Sequence, residues 1–293
     1  MRVLITGLDG FTGIHLKREL NESGHLVFGL KCDLNDVDSM NKQIKEIQPD
    51  AVMHLASLSF INSKEIGDFY KVNLIGTLNL LEALSSFSPN VRTIILASSA
   101  NIYGNSEEVS IDEKKNPNPI NDYSVSKLSM ENMAKLWLDR LPIVIVRPFN
   151  YTGYGQNKRF IIPKIVSHFQ NNEDTIELGN IDVYREYTDV RDVVNIYAKL
   201  LEGNFKGELF NICSGNYYSI KEVIELCENI TERKINVRIN TNFIRANDIK
   251  ILYGNNGHLL EKIKKTNWHN LEDTLRWMLH TEYGALKDSR SYE

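Results

Sequence analysis

Tyr123 and Lys127 stand in a Y-x-x-x-K spacing within "YSVSK". On a helix such a pair shares one face, about 5–6 Å apart at Cβ. An ammonium beside a phenol favours the phenolate, so the spacing predicts a tyrosine pKa below its usual ~10. A phenol of that kind exchanges a proton with a substrate oxygen near neutral pH. Upstream, "SSANIYG" (residues 98–104) sets two hydroxyls, Ser98 and Ser99, at the end of the apolar run "TIILA". At the chain's start, "TGLDGFTG" carries Gly7, Gly10 and Gly13 in a G-x-x-G-x-x-G spacing, directly after the apolar run "RVLIT". Glycines there permit a tight turn and let backbone N–H groups approach a pyrophosphate at a helix N-terminus. Taken singly, each feature also has a plain reading as a turn, a strand exit or an ordinary helix face. Taken in this order, they converge at the carboxyl ends of parallel strands, where open α/β sheets bind ligands.

The end of the second apolar run bears on which dinucleotide would fit. Sites selective for NAD place an acid there for the ribose 2′-OH. Here the run closes "GLK", with Lys31 in that place, and a cation favours a 2′-phosphate. Asp33 follows in "CDLND" and is placed to contact adenine instead. The expectation is NADP(H) in preference to NAD(H).

Placing these residues needs alternating strands and helices. Residues 2–6, 25–30, 51–56, 93–97 and 143–147 are strand-length and rich in Val, Ile and Leu. Continuous apolar strands suit a parallel sheet buried on both faces. Between them lie helix-length stretches: Leu74, Leu78 and Leu81 recur at helical spacing over about 64–86, and Leu128, Met133, Leu136 and Trp137 after Tyr123. Strand and helix in turn predict right-handed βαβ units and a doubly wound sheet. Beyond Asn150 the rhythm loosens. A helix is expected from about Phe160, another over "NIYAKLL", a strand at "ELFNIC" and a final helix near Leu271. Ser219 and Glu222 form a capping box for a helix after 219. His54, inside an apolar strand, reads as a buried, hydrogen-bonded histidine rather than a base. Asp189, Arg191 and Asp192 read as a local charge cluster that positions loops. The tail "KDSRSYE" reads as frayed and polar.

Composition excludes several classes. The 293 residues are 42% hydrophobic and 25% charged, ordinary globular usage, and suggest about two domains or one large α/β unit. Lys plus Arg is 34 against 38 Asp plus Glu, a net charge of −4, with no basic excess for a nucleic acid. No apolar run reaches the ~18 residues that would span a membrane. The N-terminus lacks the apolar stretch and cleavage site of a signal peptide. Cys32, Cys213 and Cys227 are too few and too scattered for a disulfide framework or a zinc site, so no metal is expected. A cytoplasmic protein is the expectation.

"TGLDGFTG", "HLAS", "SSANIYG", "YSVSK" and "RPFN" together resemble the extended short-chain dehydrogenase/reductase family, over nearly the full length. Within it, "RPFNYTGYGQ", "GNIDVYREYTDVRDV", "FNICSGNYYSIKEV" and "RANDIKILYGNN" look like the nucleotide-sugar branch that holds GDP-mannose dehydratases and GDP-4-keto-6-deoxy-mannose reductases. The resemblance implies a Rossmann domain over 1–150 and 190–213, and a smaller mixed α/β substrate-binding domain over 151–189 and 214–293. It implies Ser99, Tyr123 and Lys127 as the catalytic set, with Ser99 rather than Ser98. Gly7, Gly10, Phe11, Thr12 and Gly13 would hold the pyrophosphate, Asp33 and Leu34 would lie along adenine, and Leu55 and Ala56 near the ribose or phosphates. Lys127 would hold the cofactor ribose. Ser59 would face the sugar, Asn150 would lie near the substrate phosphates, and Arg185 and Arg245 would grip the diphosphate or its ribose. Members commonly form homodimers through helices near 64–86 and 123–138.

Two residues narrow the chemistry. Dehydratases of this family carry carboxylates directly after the catalytic Ser/Thr, including a glutamate base two residues on. Here those places hold Ala100 and Asn101, neither of them a proton-transferring base. A 4-ketoreductase needs only what is present. The expected function is NADPH-dependent reduction of the C4 carbonyl of a nucleotide-linked 4-keto-6-deoxy sugar, for deoxysugar or surface-polysaccharide (O-antigen) biosynthesis. The alternatives are an NAD-dependent nucleotide-sugar 4-epimerase, then a 4,6-dehydratase or a silent NADP-sensing protein.

Overall fold

The apolar runs of the first half become one parallel sheet in the computed structural model, which describes residues 1–59, 65–105, 110–243, 250–263 and 267–281. Its first five strands are β1 (Arg2–Thr6), β2 (Leu26–Gly29), β3 (Ala51–His54), β4 (Thr93–Ala97) and β5 (Ile143–Pro148). Later in the chain come β6 (Tyr151–Thr152), β7 (Thr175–Leu178), β8 (Tyr184–Glu186), β9 (Thr188–Asp189) and β10 (Leu209–Ile212). The central sheet runs β10-β5-β4-β3-β1-β2, and every pairing in it is parallel. The intervening helices are α1 (Phe11–Glu22), α2 (Val37–Ile47), α3 (Ile66–Tyr70), α4 (Thr77–Phe87), α5 (Asp122–Lys135), α6 (Ile161–Gln170) and α7 (Val190–Glu202).

Alternate strand residues point to opposite faces, which is why the strands read as continuous apolar runs. Val3, Ile5, Met53, Ile95, Val144 and Val146 pack against α1 and α7. Leu4, Val52, Ile94, Leu96, Ile143 and Ile145 pack against α2, α4 and α5. This is the doubly wound arrangement expected from the pattern. The helix expected over 64–86 differs in one respect. Between α3 and α4 it passes through a π-helical stretch, Lys71–Gly76.

The remaining elements are β11 (Tyr217–Ser219), α8 (Ile220–Thr231), β12 (Asn236–Ile239), β13 (Ile251–Leu252), α9 (Gly257–Lys262) and α10 (Leu271–His280). β11 and β13 flank β8, and β12 pairs with β7. α6, α8 and α10 build a second core there around Ile165, Phe169, Val223 and Leu275. The Ser219–Glu222 capping box forms as the spacing predicted. The polar tail at 287–293 lies outside the described residues. No described helix is long and apolar enough to cross a membrane.

One buried ion pair ties α5 to the sheet. Arg147 of β5 donates through Nε and Nη2 to the Glu131 carboxylate of α5, at 3.0 and 2.7 Å. Its Nη1 donates to the Tyr103 hydroxyl, which in turn donates to Asn211 on β10 at 2.7 Å. Both partners are buried. Removing one leaves a buried charge unpaired, at a cost of about 3–5 kcal/mol. We expect Glu131→Ala to lower the free energy of denaturant unfolding by that amount, and the double variant Glu131→Leu/Arg147→Met to recover most of it.

Candidate active site

The glycine turn between β1 and α1 is shaped by close backbone approach. Gly7 has φ +73°, the left-handed region that favours glycine. A Cβ on Gly13 would stand 2.4 Å from the carbonyl oxygens of Gly7 and Leu8. Gly10 caps α1 with no side-chain hydrogen bond, and no acid sits in the first turn. The first N–H groups of α1 therefore face outward without a side-chain acceptor from the cap, the arrangement that receives an anion. These residues fit a dinucleotide pyrophosphate. Leu55 and Ala56 line the neighbouring strand exit, where their N–H groups donate to the Thr6 carbonyl and hydroxyl, at 3.2 and 3.1 Å.

At the far end of β2, Lys31 is exposed and its backbone N–H donates to Gln43. Asp33 is exposed too, but its carboxylate accepts from the Asn35 N–H and side-chain amide at 2.7 and 2.9 Å. Those bonds hold its pKa below the usual carboxylate value. Leu34 is buried against Gly76, while Lys31 stays exposed at this rim.

Ser99, Tyr123 and Lys127 come together where β4 and α5 meet. Ser99 begins a 3₁₀ turn, Ala100–Tyr103, and its Oγ accepts from the Asn101 N–H at 3.2 Å. The Ser99 hydroxyl stands close enough to the Tyr123 phenol to draw its pKa down. α5 starts one residue before that tyrosine, held by a capping box between Asn121 and Ser124. Ser98 is buried, and its hydroxyl has no partner among the described residues.

The Y-x-x-x-K spacing brings Lys127 to the same face, yet the expected electrostatics differ. The Lys127 ammonium donates to the Ala97 carbonyl at 2.7 Å. The Tyr123 phenol is pushed up to about 12 by its low-dielectric surroundings, with the Ser99 hydroxyl opposing. Burial brings Lys127 down to about 8, against the pull of Glu131. The predicted lowering of Tyr123 by Lys127 is therefore corrected. Desolvation outweighs a cation whose proton is given to a carbonyl.

The residues expected on the substrate side are scattered more widely. Ser59 is half-buried at the end of the loop after β3. Asn150 is exposed, with its backbone carbonyl accepting from the Thr188 N–H at 3.1 Å. Arg185 lies on β8 and donates to the carbonyl of Tyr184 at 2.8 Å. Arg245 lies outside the described residues. His54 is buried and bonded at both ring nitrogens, as expected. Asp189 accepts from Arg191 and Thr274, and Asp192 from His269, so that cluster does fix loops.

A family model described as the NAD dependent epimerase/dehydratase family matches residues 3–213. The chain belongs to that family. It is 36% identical to a GDP-6-deoxy-D-talose 4-dehydrogenase of Aggregatibacter actinomycetemcomitans, over 89% of this chain and 90% of that one. It is 34% identical to a GDP-6-deoxy-D-mannose reductase of Pseudomonas aeruginosa, over 80% and 82%. The structure of RMD from Pseudomonas aeruginosa complexed with NADPH superimposes with a TM-score of 0.87 at 29% identity, over 99% of this chain and 100% of that one. UDP-glucose 4-epimerases are further relatives at 26–27% identity.

Two residues of this family member escaped the sequence reading. The Tyr151 hydroxyl is 2.8 Å from Thr12 Oγ1 in the glycine turn, and its ring stacks on Phe11. Asn73, in the π-helical stretch, reaches the loop after β3. Tyr151 lies inside the "RPFNYTG" stretch and adjoins Asn150, which is the signal that pointed to it. Asn73 had none, because its role comes from a local departure of the helix.

Lys127 gives a measurable pH signature. An unfolded lysine titrates near 10.5, whereas folded Lys127 does so near 8. Between these values the unfolded chain binds more protons, so this residue's share of stability grows as pH rises. We expect the stability of the cofactor-free protein relative to Lys127→Met to rise from pH 8 to 10.5, followed by denaturant unfolding at each pH.

Proposed function

We propose that this protein reduces the C4 carbonyl of a GDP-linked 4-keto-6-deoxyhexose with NADPH. At the level of reaction class it is an NAD(P)-dependent nucleotide-sugar oxidoreductase, like the dehydrogenase and the reductase it resembles. The observation that carries the finer reading is the Ser99–Tyr123 hydroxyl pair, followed by a turn that holds Ala100 and Asn101 and no carboxylate.

The Ser99–Tyr123 pair would face the nicotinamide of a bound dinucleotide, which would supply hydride to C4. Tyr123, protonated at neutral pH because its pKa is near 12, gives its proton to the carbonyl oxygen. Ser99 hydrogen-bonds the same oxygen as charge develops. Lys127, buried and charged below about pH 8, stabilises the phenolate left on Tyr123 once its ammonium turns from the Ala97 carbonyl. Gly7, Gly10, Phe11, Thr12 and Gly13 hold the pyrophosphate, and Leu55 and Ala56 the neighbouring ribose. Lys31 meets a 2′-phosphate, which supports NADPH, as does the NADPH in the neighbouring structure. Residues 1–150 and 190–213 serve the dinucleotide, while 151–189 and 214–293 serve the nucleotide sugar, together with Ser59, Asn150 and Arg185, and with Arg245 as the resemblance implies. The reading includes a cytoplasmic homodimer.

The test is NADPH oxidation with GDP-4-keto-6-deoxymannose. One NADPH should be consumed per keto sugar, and Tyr123→Phe should lower kcat by about 10²–10⁴-fold. C4 interconversion of a UDP-hexose with no net loss of NADPH would instead establish an epimerase. The cofactor preference has its own check. Lys31→Ala removes a charge-assisted contact and should raise the KM for NADPH about tenfold or more, leaving that for NADH nearly unchanged.

A further inference from the structure

The loop after β3 is clasped at both ends by one helical irregularity. Its first half is held through His54. Thr77 Oγ1 donates to the Asn73 carbonyl at 2.8 Å, so its hydrogen is committed. His54 Nε2, 2.8 Å from that same oxygen, must then be the donor. His54 Nδ1 is left as an acceptor, and Thr6 Oγ1 donates to it at 2.7 Å. Thr6 Oγ1 accepts in turn from the Ala56 N–H at 3.1 Å. A directed chain runs from Ala56 through Thr6, His54 and Thr77 to Asn73. It needs a neutral imidazole, and burial with the nearby Lys127 charge holds His54 down to about 3.

The second half of the loop is held by the Asn73 side chain, 1% exposed. Its Oδ1 accepts from the Ser57 hydroxyl and the Leu58 N–H, both at 2.9 Å. Its Nδ2 donates to the Leu58 carbonyl at 3.2 Å and to Ser126 Oγ at 3.0 Å. Both lone pairs and both hydrogens are used, so the amide orientation is fixed. Ser126 Oγ then donates to the Tyr123 carbonyl at 2.7 Å. The π-helical stretch Lys71–Gly76 contains Asn73 and distinguishes this turn from the helix on either side.

We propose that Asn73 is a positioning residue that locks the 57–59 segment, on the sugar side of the site, to the helix bearing Tyr123 and Lys127. Thr6 and His54 hold the 55–56 segment, on the cofactor side, through the Asn73 backbone carbonyl and independently of its side-chain amide. The division rests on the proposed substrate for its sugar arm only. Asn73 touches neither substrate nor cofactor, and it acts by fixing where Ser59 stands relative to the phenol.

The test separates the two halves. Asn73→Ala should lower kcat/KM for the nucleotide sugar about ten- to a hundredfold, while the Kd for NADPH without substrate, read by fluorescence, stays within about twofold. Thr6→Val should do the reverse, raising the NADPH Kd. Hydrogen exchange supplies a readout that needs no turnover. In Asn73→Ala the Leu58 amide should lose protection while the Ala56 amide keeps it. A general structural role would move the kinetic constants, the Kd and both amides together, in step with lost stability, and that outcome overturns the proposal. So does an Asn73→Ala enzyme with unchanged kcat/KM and a protected Leu58. If Asn73→Ala does not fold, Ser57→Ala, which deletes one hydroxyl from a half-buried residue, should show the same split to a smaller degree, and an equal effect on both arms overturns it. If the wild-type protein turns over no keto sugar, the substrate reading fails, while the exchange experiment still decides the lock.

Discussion

A lysine ammonium almost wholly removed from water sets terms for the structure around it. Lys127 is 4% exposed, and burying such a charge costs several kcal/mol unless it is paired and hydrogen-bonded. Its ammonium donates to the carbonyl that ends β4, which forces the helix and strand together at the sheet's carboxyl edge. Glu131, one turn further along α5, favours its charged form but is itself neutralised by Arg147. His54 is the complement. A second cation there would oppose Lys127, and the hydrogen-bond chain through Thr6 and Thr77 admits only the neutral imidazole. The fold thus supports one charge at this edge by keeping its neighbours paired or uncharged.

The same requirement, that each buried polar group find a partner, joins the second half of the chain to the first. Glu186 on β8 is fully buried and has no ion-pair partner among the described residues. It accepts instead from the N–H groups of Ser214, Gly215 and Gly254 and from Thr188 Oγ1. One carboxylate so pins the turn after β10 and the exit of β13 to the strand that carries Arg185. On the other side, His15 of α1 bonds the Tyr154 carbonyl at 2.8 Å and packs edge-on against Trp277. The helix whose N-terminus would face a pyrophosphate is therefore fixed by both halves of the chain.

What could be read from the sequence follows from the range of each interaction. The strands were legible because burial on both faces leaves no polar alternation to confuse them. Ser219 and Glu222 were legible because a capping box closes within four residues. The glycine turn was legible because only glycine tolerates the approach at Gly13. Asn73 and Glu186 act across 15 and 29 residues with no local pattern to mark them, and Tyr151 acts across 139 with only its place beside Asn150 as a sign. The Tyr123–Lys127 spacing gave proximity at Cβ but not the direction of the ammonium, and the sign of the phenol's shift turned on that direction. Arg185 and Asn150 rest on resemblance alone, and the fold places the first on β8 and the second between β5 and β6.

The turn after Ser99 shows why the site suits reduction better than elimination. Ala100, Ile102 and Tyr103 pack with Ile111, Phe149, Cys213 and Leu252 in a core cluster of their own. A carboxylate at position 100 would have to shed its water in that cluster with no cation supplied. Asn101 spends its backbone N–H on Ser99 Oγ, which occupies a lone pair of that hydroxyl and leaves its hydrogen to donate. The segment is therefore built to pack on one side and to aim a donor on the other. A donor aimed beside a protonated phenol stabilises negative charge growing on an oxygen, which is what carbonyl reduction requires. Among the described residues of this turn, Ala100–Tyr103, none would take a proton from carbon.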